Sequence, residues 1–223
     1  MAAKKKKPAV ADPVADPEGG YGLAIAFTVA FVILCLSWVA YQAHNPVHAA
    51  PKYDSVVKVR TDTGHGSGVY IGDGKFLTAT HVVDGAKEFP IRAMDGSERD
   101  AEVLWASPQY DVALLQIKTD RDKFKVTEIA CRQPRMWEQI WALGNPKAIE
   151  FVQTRGVVIG LPRQQADWAS VMIVDIPMYP GMSGGPVVDK DGKLIGLTVG
   201  GYISPPMNMA VPTEVVCNLL MRA

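Results

Sequence analysis

The sequence predicts an all-β domain, a barrel or a pair of packed sheets, behind one apolar N-terminal helix. Three observations lead there. From about Pro51 onward the chain divides into short runs rich in Val and Ile: SVVKVR, GSGVYIG, KFLTATHVV, FPIRAM, AEVLWA, DVALLQI, IWALG, TRGVVIG, VMIVDI, GPVVDK and KLIGLTVGG. Gly, Pro and Asp-Gly turns separate them, GDGK, MDGS and KDGK among them, and Asp-Gly tolerates the positive φ of a tight hairpin. Only the tail, PTEVVCNLLMR, places apolar residues at helical spacing, with Thr213 as its expected N-cap. A parallel α/β sheet needs helices between its strands, and none intervene.

The 223 residues carry a formal net charge of zero and are 48% hydrophobic, which fits one folded domain with an appendage. Such a chain is too apolar for disorder and lacks the basic excess of a nucleic-acid binder, so no nucleic-acid partner is expected. Cys35, Cys131 and Cys217 show no CxxC pattern, and neither a metal nor a cofactor is expected. Cys131 and Cys217 can pair in an oxidising compartment, but the sequence gives no Cα distance and leaves the pairing open.

Lys4 to Lys7 form a basic block, followed by the Pro- and Gly-rich PAVADPVADPEGG. From Gly19 to Pro51 there is no Asp, Glu, Lys or Arg. Its centre, LAIAFTVAFVILCLSWVA, is continuously apolar but for Thr28 and Ser37, and the 20 residues from Gly22 to Tyr41 are long enough as a helix to span a hydrocarbon core of roughly 30 Å, with Tyr21, Trp38 and Tyr41 near the ends. The reading is a cytoplasmic tail over 1–20, a transmembrane helix over 21–42, a linker over 43–54 and a folded domain over 55–223. The lysine block keeps the N-terminus inside and sends the domain to the periplasm or cell exterior. The competing reading is a leader cleaved near VHA, Val47 to Ala49, which would release a secreted domain; the length of the apolar run favours the anchor.

Serine is a weak nucleophile until a base takes its proton, and histidine, with an ordinary pKa near 6.5, suits that task. His44 and His48 adjoin the apolar segment, and His65, in GHGSG, is expected to be solvated. His81 ends a strong apolar run at a loop entrance, in LTATHVVDG. Asp111 opens DVALLQI, where a carboxylate needs a partner to offset desolvation. Ser183 sits in YPGMSGGPVV, whose glycines permit the N–H groups of Gly181 and Ser183 to point into one small space.

These motifs, in the order His81, Asp111, Ser183, resemble the trypsin-like serine proteases, and more closely their HtrA/Deg branch. GSGVYI resembles the early glycine strand, LTATHVV the histidine motif and DVALLQI the aspartate motif. WALGNPKAIEFVQTRGVVIG resembles the Gly-Asn-Pro turn and the strand after it, VDIPMYPGMSGGPVVDKDGKLIGLTVGG the nucleophile loop and specificity strand, and NMAVPTEVV the closing strand and helix. The resemblance runs from about Ser55 to Leu220. It implies a chymotrypsin-like fold, two six-stranded antiparallel β-barrels with a C-terminal helix and an active site between the barrels. It also implies polypeptide substrates and a homo-oligomer, commonly a trimer. By position, His81 is general base and acid, Asp111 orients it, Ser183 attacks the carbonyl, and Gly181 and Ser183 form the oxyanion hole. Gly200 and Gly201 would lie beside an extended substrate. Pro177, Met178, Thr198 and Val199 would line the specificity pocket; none is charged, so a small or medium apolar P1 residue is expected.

The resemblance has two departures. Met182 stands where digestive relatives carry Asp and HtrA relatives usually carry Asn. Methionine cannot form the ion pair that orders the digestive enzymes' oxyanion loop, so activation by N-terminal cleavage is not expected. The sequence ends at Ala223, after the predicted helix, where HtrA enzymes commonly append PDZ domains. The resulting expectation is a membrane-anchored serine endopeptidase acting on unfolded or exposed envelope protein segments. The alternative is a catalytically inactive peptide binder on the same fold.

Overall fold

The computed structural model describes residues 18–44, 53–62, 64–118, 123–147, 149–203 and 206–222. Residues 1–17 of the tail and 45–52 of the linker, the VHA segment among them, lie outside the described residues, whereas 18–20 and 43–44 fall in a helix. The chain forms two units, 1–47 and 48–223.

In the first unit a helix α1 runs over Glu18–His44. Its described side chains, 25–41, are all exposed and uncharged. Among the described residues, no helix is long and apolar enough to cross a membrane.

The second unit is two closed antiparallel barrels of six strands each. The first holds β1 (Val56–Thr61), β2 (Gly64–Gly72), β3 (Lys75–Thr78), β4 (Glu88–Arg92), β5 (Glu98–Ser107) and β6 (Val112–Ile117), in the order β1-β2-β3-β6-β5-β4. The second holds β7 (Gln139–Gly144), β8 (Val152–Gln165), β9 (Trp168–Asp175), β10 (Pro186–Val188), β11 (Leu194–Ile203) and β12 (Pro206–Pro212), in the order β10-β11-β12-β9-β8-β7. Closure pairs β1 with β4 and β10 with β7, which leaves only short stretches of strand edge unpaired. Each Val/Ile run contributes one strand. Val57, Phe76, Ile91, Leu115 and Ile117 fill the first barrel, and Ile140, Val158, Met172, Ile195 and Ala210 the second, all essentially inaccessible to solvent.

The GDGK turn joins β2 to β3 with Asp73 at φ 53° and Gly74 at φ 75°, the two left-handed residues of a type I′ hairpin. KFLTATHVV, read as one strand, remains extended only to Thr78; Thr80–Val83 form a single helical turn, α2. The tail is helical over Thr213–Leu220 (α3), but Pro212 holds the cap position. The Thr213 hydroxyl instead donates to the Ala130 carbonyl at 2.6 Å. A disulfide between Cys131 and Cys217, with Cα atoms 5.8 Å apart, fastens α3 to the segment leading into the second barrel.

Beside that disulfide Arg132 bridges two carboxylates of low exposure, Glu138 (side chain 15% exposed) and Asp189 (7%). Burial alone would push the Glu138 carboxyl up; the Arg132 guanidinium and the Arg135 N–H outweigh it and hold the carboxyl below its usual range. A depressed carboxyl stabilises the fold above its unfolded pKa, near 4.3, and the contribution fades as pH falls through the folded value. Replacing Arg132 by Leu removes the ion-pair partner of both carboxylates and leaves them backbone N–H donors. The expected loss is about 3 kcal/mol at neutral pH, shrinking as pH falls and the Glu138 carboxyl protonates, as read from urea unfolding midpoints across pH.

Candidate active site

β3 and β6 are antiparallel neighbours, with Thr78 opposite Ala113. The end of one and the start of the other therefore meet at the same rim of the first barrel. His81 follows β3 and Asp111 precedes β6, so residues distant in sequence are delivered side by side. Asp111 has φ 57°, a left-handed conformation that Asp adopts more readily than most residues. It closes a turn in which its N–H donates to the Pro108 carbonyl at 3.3 Å.

The Asp111 side chain, 8% exposed, accepts three N–H groups. Oδ1 takes the His81 backbone N–H at 2.9 Å, a first-turn donor with no partner inside α2. Oδ2 takes His81 Nδ1 at 2.6 Å and the Trp168 indole Nε1 at 3.1 Å. These bonds offset the cost of burying the charge. They also settle the ring's tautomer. A carboxylate only accepts, so Nδ1 carries the imidazole proton and Nε2 keeps a free lone pair. His81 itself is half exposed, its side chain at 47%.

Ser183 lies in the loop between β9 and β10 of the second barrel, and a hydrogen-bonded clamp holds that loop against the first. The Ser67 N–H on β2 donates to the Ser183 carbonyl at 2.7 Å, and the Ser67 hydroxyl donates to the Gly181 carbonyl at 2.8 Å. Fully buried Asn145 donates its N–H to Ser67 Oγ at 2.9 Å, and its side-chain amide donates to the Val57 carbonyl at 3.1 Å. The Lys147 N–H donates to the Pro180 carbonyl at 3.2 Å. The glycines are required for this approach. A Cβ on Gly184, at φ 80°, would lie 2.3 Å from both the Ser67 carbonyl and Thr78 Oγ1. A Cβ on Gly181, at φ 101°, would lie 2.3 Å from the Asn145 carbonyl and 2.7 Å from His65 Nε2. Among the described residues, neither the Gly181 N–H nor the Ser183 N–H donates a hydrogen bond.

Met182 is the loop's plug. Only 1% exposed, it joins the apolar cluster of Ile140, Val158, Met172, Ile176 and Ile195. Its N–H donates to the Tyr179 carbonyl at 3.0 Å, and its carbonyl accepts the Gly185 N–H at 2.9 Å and the Thr198 hydroxyl. Apolar packing thus holds the position that digestive relatives fix with an ion pair.

The expected site residues separate into groups. His81 and Asp111 are bonded to each other. The Ser183 hydroxyl points to the Val199 carbonyl at 3.5 Å, the limit of a hydrogen bond; among the described residues no hydrogen bond joins it to His81. Val199 lines a cleft of about 560 Å³ together with His81, Asp111, Trp168, Asp84 and Asp167. Thr198 is buried beneath the Met182 carbonyl, Met178 packs partly against the second core, Pro177 is exposed, and Gly200 lies under the Trp168 ring. Gly201 is exposed on β11, whose residues beyond Thr198 pair only with β12 and leave their other edge open. His65 is not a solvated loop residue: it is half-buried, with Nε2 2.8 Å from the Asn145 carbonyl and against Gly181. Sequence reasoning missed Ser67, Asn145 and Trp168. Only the Gly-Asn-Pro turn signalled one of them.

Two closed barrels, a His–Asp pair and a glycine-cradled serine define a class, and comparison agrees. A family model described as the trypsin-like peptidase domain matches residues 66–197, and the chain belongs to that family. Its relatives lie in the HtrA/Deg branch. Protease Do-like 1, chloroplastic, from Arabidopsis thaliana is 30% identical over 165 residues, covering 69% of this chain and 38% of the relative. Periplasmic serine endoprotease DegP from Salmonella typhimurium is 31% identical over 165 residues, covering 69% and 34%. The chain thus spans little more than a third of the length of these curated relatives. Among solved structures, the HtrA-type protease AlgW with a tripeptide superposes with a TM-score of 0.68 at 25% identity, covering 76% of this chain and 60% of that one.

Proposed function

We propose that the protein is a serine endopeptidase, anchored by its N-terminal helix, that cleaves unfolded or exposed segments of envelope proteins outside the cytoplasm. The observation that carries this reading is the 2.6 Å bond from His81 Nδ1 to Asp111, which leaves Nε2 ready to accept a proton. In this reading Ser183 Oγ attacks the scissile carbonyl as its proton passes to His81 Nε2. The oxyanion settles on the unbonded N–H groups of Gly181 and Ser183. His81 then protonates the leaving amine, and water, activated by the same ring, releases the acyl group from Ser183. The open edge of β11 at Gly200 and Gly201 takes the substrate backbone as an added strand. The uncharged surroundings of Pro177, Met178, Thr198 and Val199 favour a small or medium apolar residue before the cleaved bond. Relatives named as periplasmic support the location; the anchor rests on the apolar run of the sequence, and oligomerisation on the family alone.

A second reading, a peptide binder without activity, draws on the Ser183 hydroxyl turned to Val199. Incubating the full chain with an unfolded protein separates the two. The peptidase reading expects fragments cut after small apolar residues, and none from Ser183→Ala. Peptide binding without fragments from the wild type selects the binder, and efficient cutting after Arg overturns the assigned pocket. Extraction of the chain from membranes by alkaline carbonate would remove the anchor from the proposal.

A further inference from the structure

The sequence singled out no residue between Asp111 and Pro177 for the active site, yet one from that interval bonds to Asp111. We propose that Trp168 is a positioning residue: from the second barrel, it fixes the Asp111 carboxylate that orients His81 and couples it to the strand that receives substrate. The proposal rests on the peptidase reading above.

Trp168 begins β9, directly after the two-residue tip Ala166–Asp167 of the β8–β9 hairpin. The tip reaches across to the first barrel through two bonds from adjacent residues. The Trp168 indole N–H donates to Asp111 Oδ2 at 3.1 Å, and the Ala169 N–H donates to the Gln109 carbonyl at 3.1 Å. Both acceptors lie in the short turn that carries Asp111. Apart from Trp168, every hydrogen bond to the carboxylate comes from His81. The indole is therefore the one donor, among the described residues, that fixes the carboxylate independently of the ring it orients. Indole suits the place because it donates and cannot accept, so it stabilises a carboxylate without competing for the proton on Nδ1.

The same ring lies over the substrate strand. A Cβ on Gly200 would stand 3.1 and 3.3 Å from the benzo atoms of Trp168. Gly200 is on the open edge of β11, and Trp168, His81 and Val199 line one cleft with the carboxylates Asp84 and Asp167 at its rim. A strand docked along the edge at Gly200 therefore sets its same-face side chains beside a ring whose other end holds Asp111. Strand occupancy and the orientation of the His–Asp pair are linked through one rigid side chain.

Two variants of the full chain separate the N–H from the ring. Trp168→Phe keeps an aromatic wall over Gly200 and removes the donor; Trp168→Ala removes both. With a peptide substrate, Trp168→Phe is expected to lower kcat about tenfold, the worth of one hydrogen bond to a charged group, while KM stays within about twofold. Trp168→Ala is expected to match that fall in kcat and also to raise KM. The low-field proton resonance of His81 Nδ1 provides a readout independent of turnover and is expected to shift in Trp168→Phe. A Trp168→Phe protein with wild-type kcat, or one whose resonance stays in place, overturns the proposal. If the wild type cleaves no peptide, the peptidase reading fails and the resonance alone decides the role of Trp168.

Discussion

Asp111→Asn is expected to fold normally and to lose about four orders of magnitude in kcat. The carboxylate offers two acceptors, one to the His81 backbone N–H and one to Nδ1. An amide has one acceptor and one donor group. If the amide oxygen serves the backbone N–H, the NH2 faces Nδ1, which must then become the acceptor. The imidazole proton moves to Nε2, the atom that takes the serine proton in the proposed mechanism, and the base is lost. If the amide turns the other way, its NH2 faces the His81 backbone N–H, donor against donor. The indole of Trp168 adds to the conflict, because it shares Oδ2 with Nδ1 and donates only. Each orientation leaves at least one of the three donors facing the NH2, so Asn cannot reproduce the network that fixes the tautomer. Steady-state kinetics beside an unchanged circular dichroism spectrum is the check. A variant within tenfold of the wild type would show that Asp111 does not set the tautomer.

Met182→Asp, which restores the residue of digestive relatives, is expected to unfold or nearly unfold the protein. Met182 is 1% exposed among apolar side chains of the second core, and that cluster offers no cation. An isolated carboxylate there costs several kcal/mol, a large part of the 5–15 kcal/mol typical of a domain. The sign of the pH response is fixed. Burial without a partner raises the folded pKa of the new carboxyl, so the destabilisation is full at neutral pH and diminishes as pH falls toward that of an unfolded Asp, about 3.9. Met182→Leu, which keeps the volume and polarity, is expected to cost less than about 1.5 kcal/mol. Urea midpoints of the three proteins measure both effects, and an Asp variant as stable as wild type at pH 7 would disprove the plug.

Much of the barrel architecture was legible because its cause is local. Runs such as DVALLQI and KLIGLTVGG are β-branched, short and bounded by turn residues, and each formed a strand. β12 lacked that signal: PMNMAVP begins with Pro and alternates weakly, and only the family resemblance pointed to it. The end of KFLTATHVV was misread because an acceptor 30 residues away, the Asp111 carboxylate, satisfies the His81 N–H and makes one helical turn favourable. Thr213 was read as a cap for a similar reason; the Ala130 carbonyl claims its hydroxyl. His65 looked solvated inside GHGSG. The same glycine chemistry lets the Ser183 loop close on it, with Gly181 lacking the Cβ that would collide. Trp168 and the Cys131–Cys217 bond follow from strand register and barrel closure, which no local pattern encodes.

The central claim is that His81 and the cradle around Ser183 activate one serine. Treating the folded wild type with a fluorophosphonate at neutral pH, then locating the adduct by peptide mass mapping, tests it most directly. One adduct per chain, on Ser183 and strongly slowed in His81→Ala, is the predicted result. A folded wild type that takes no label, or one labelled at the same rate without His81, would contradict it.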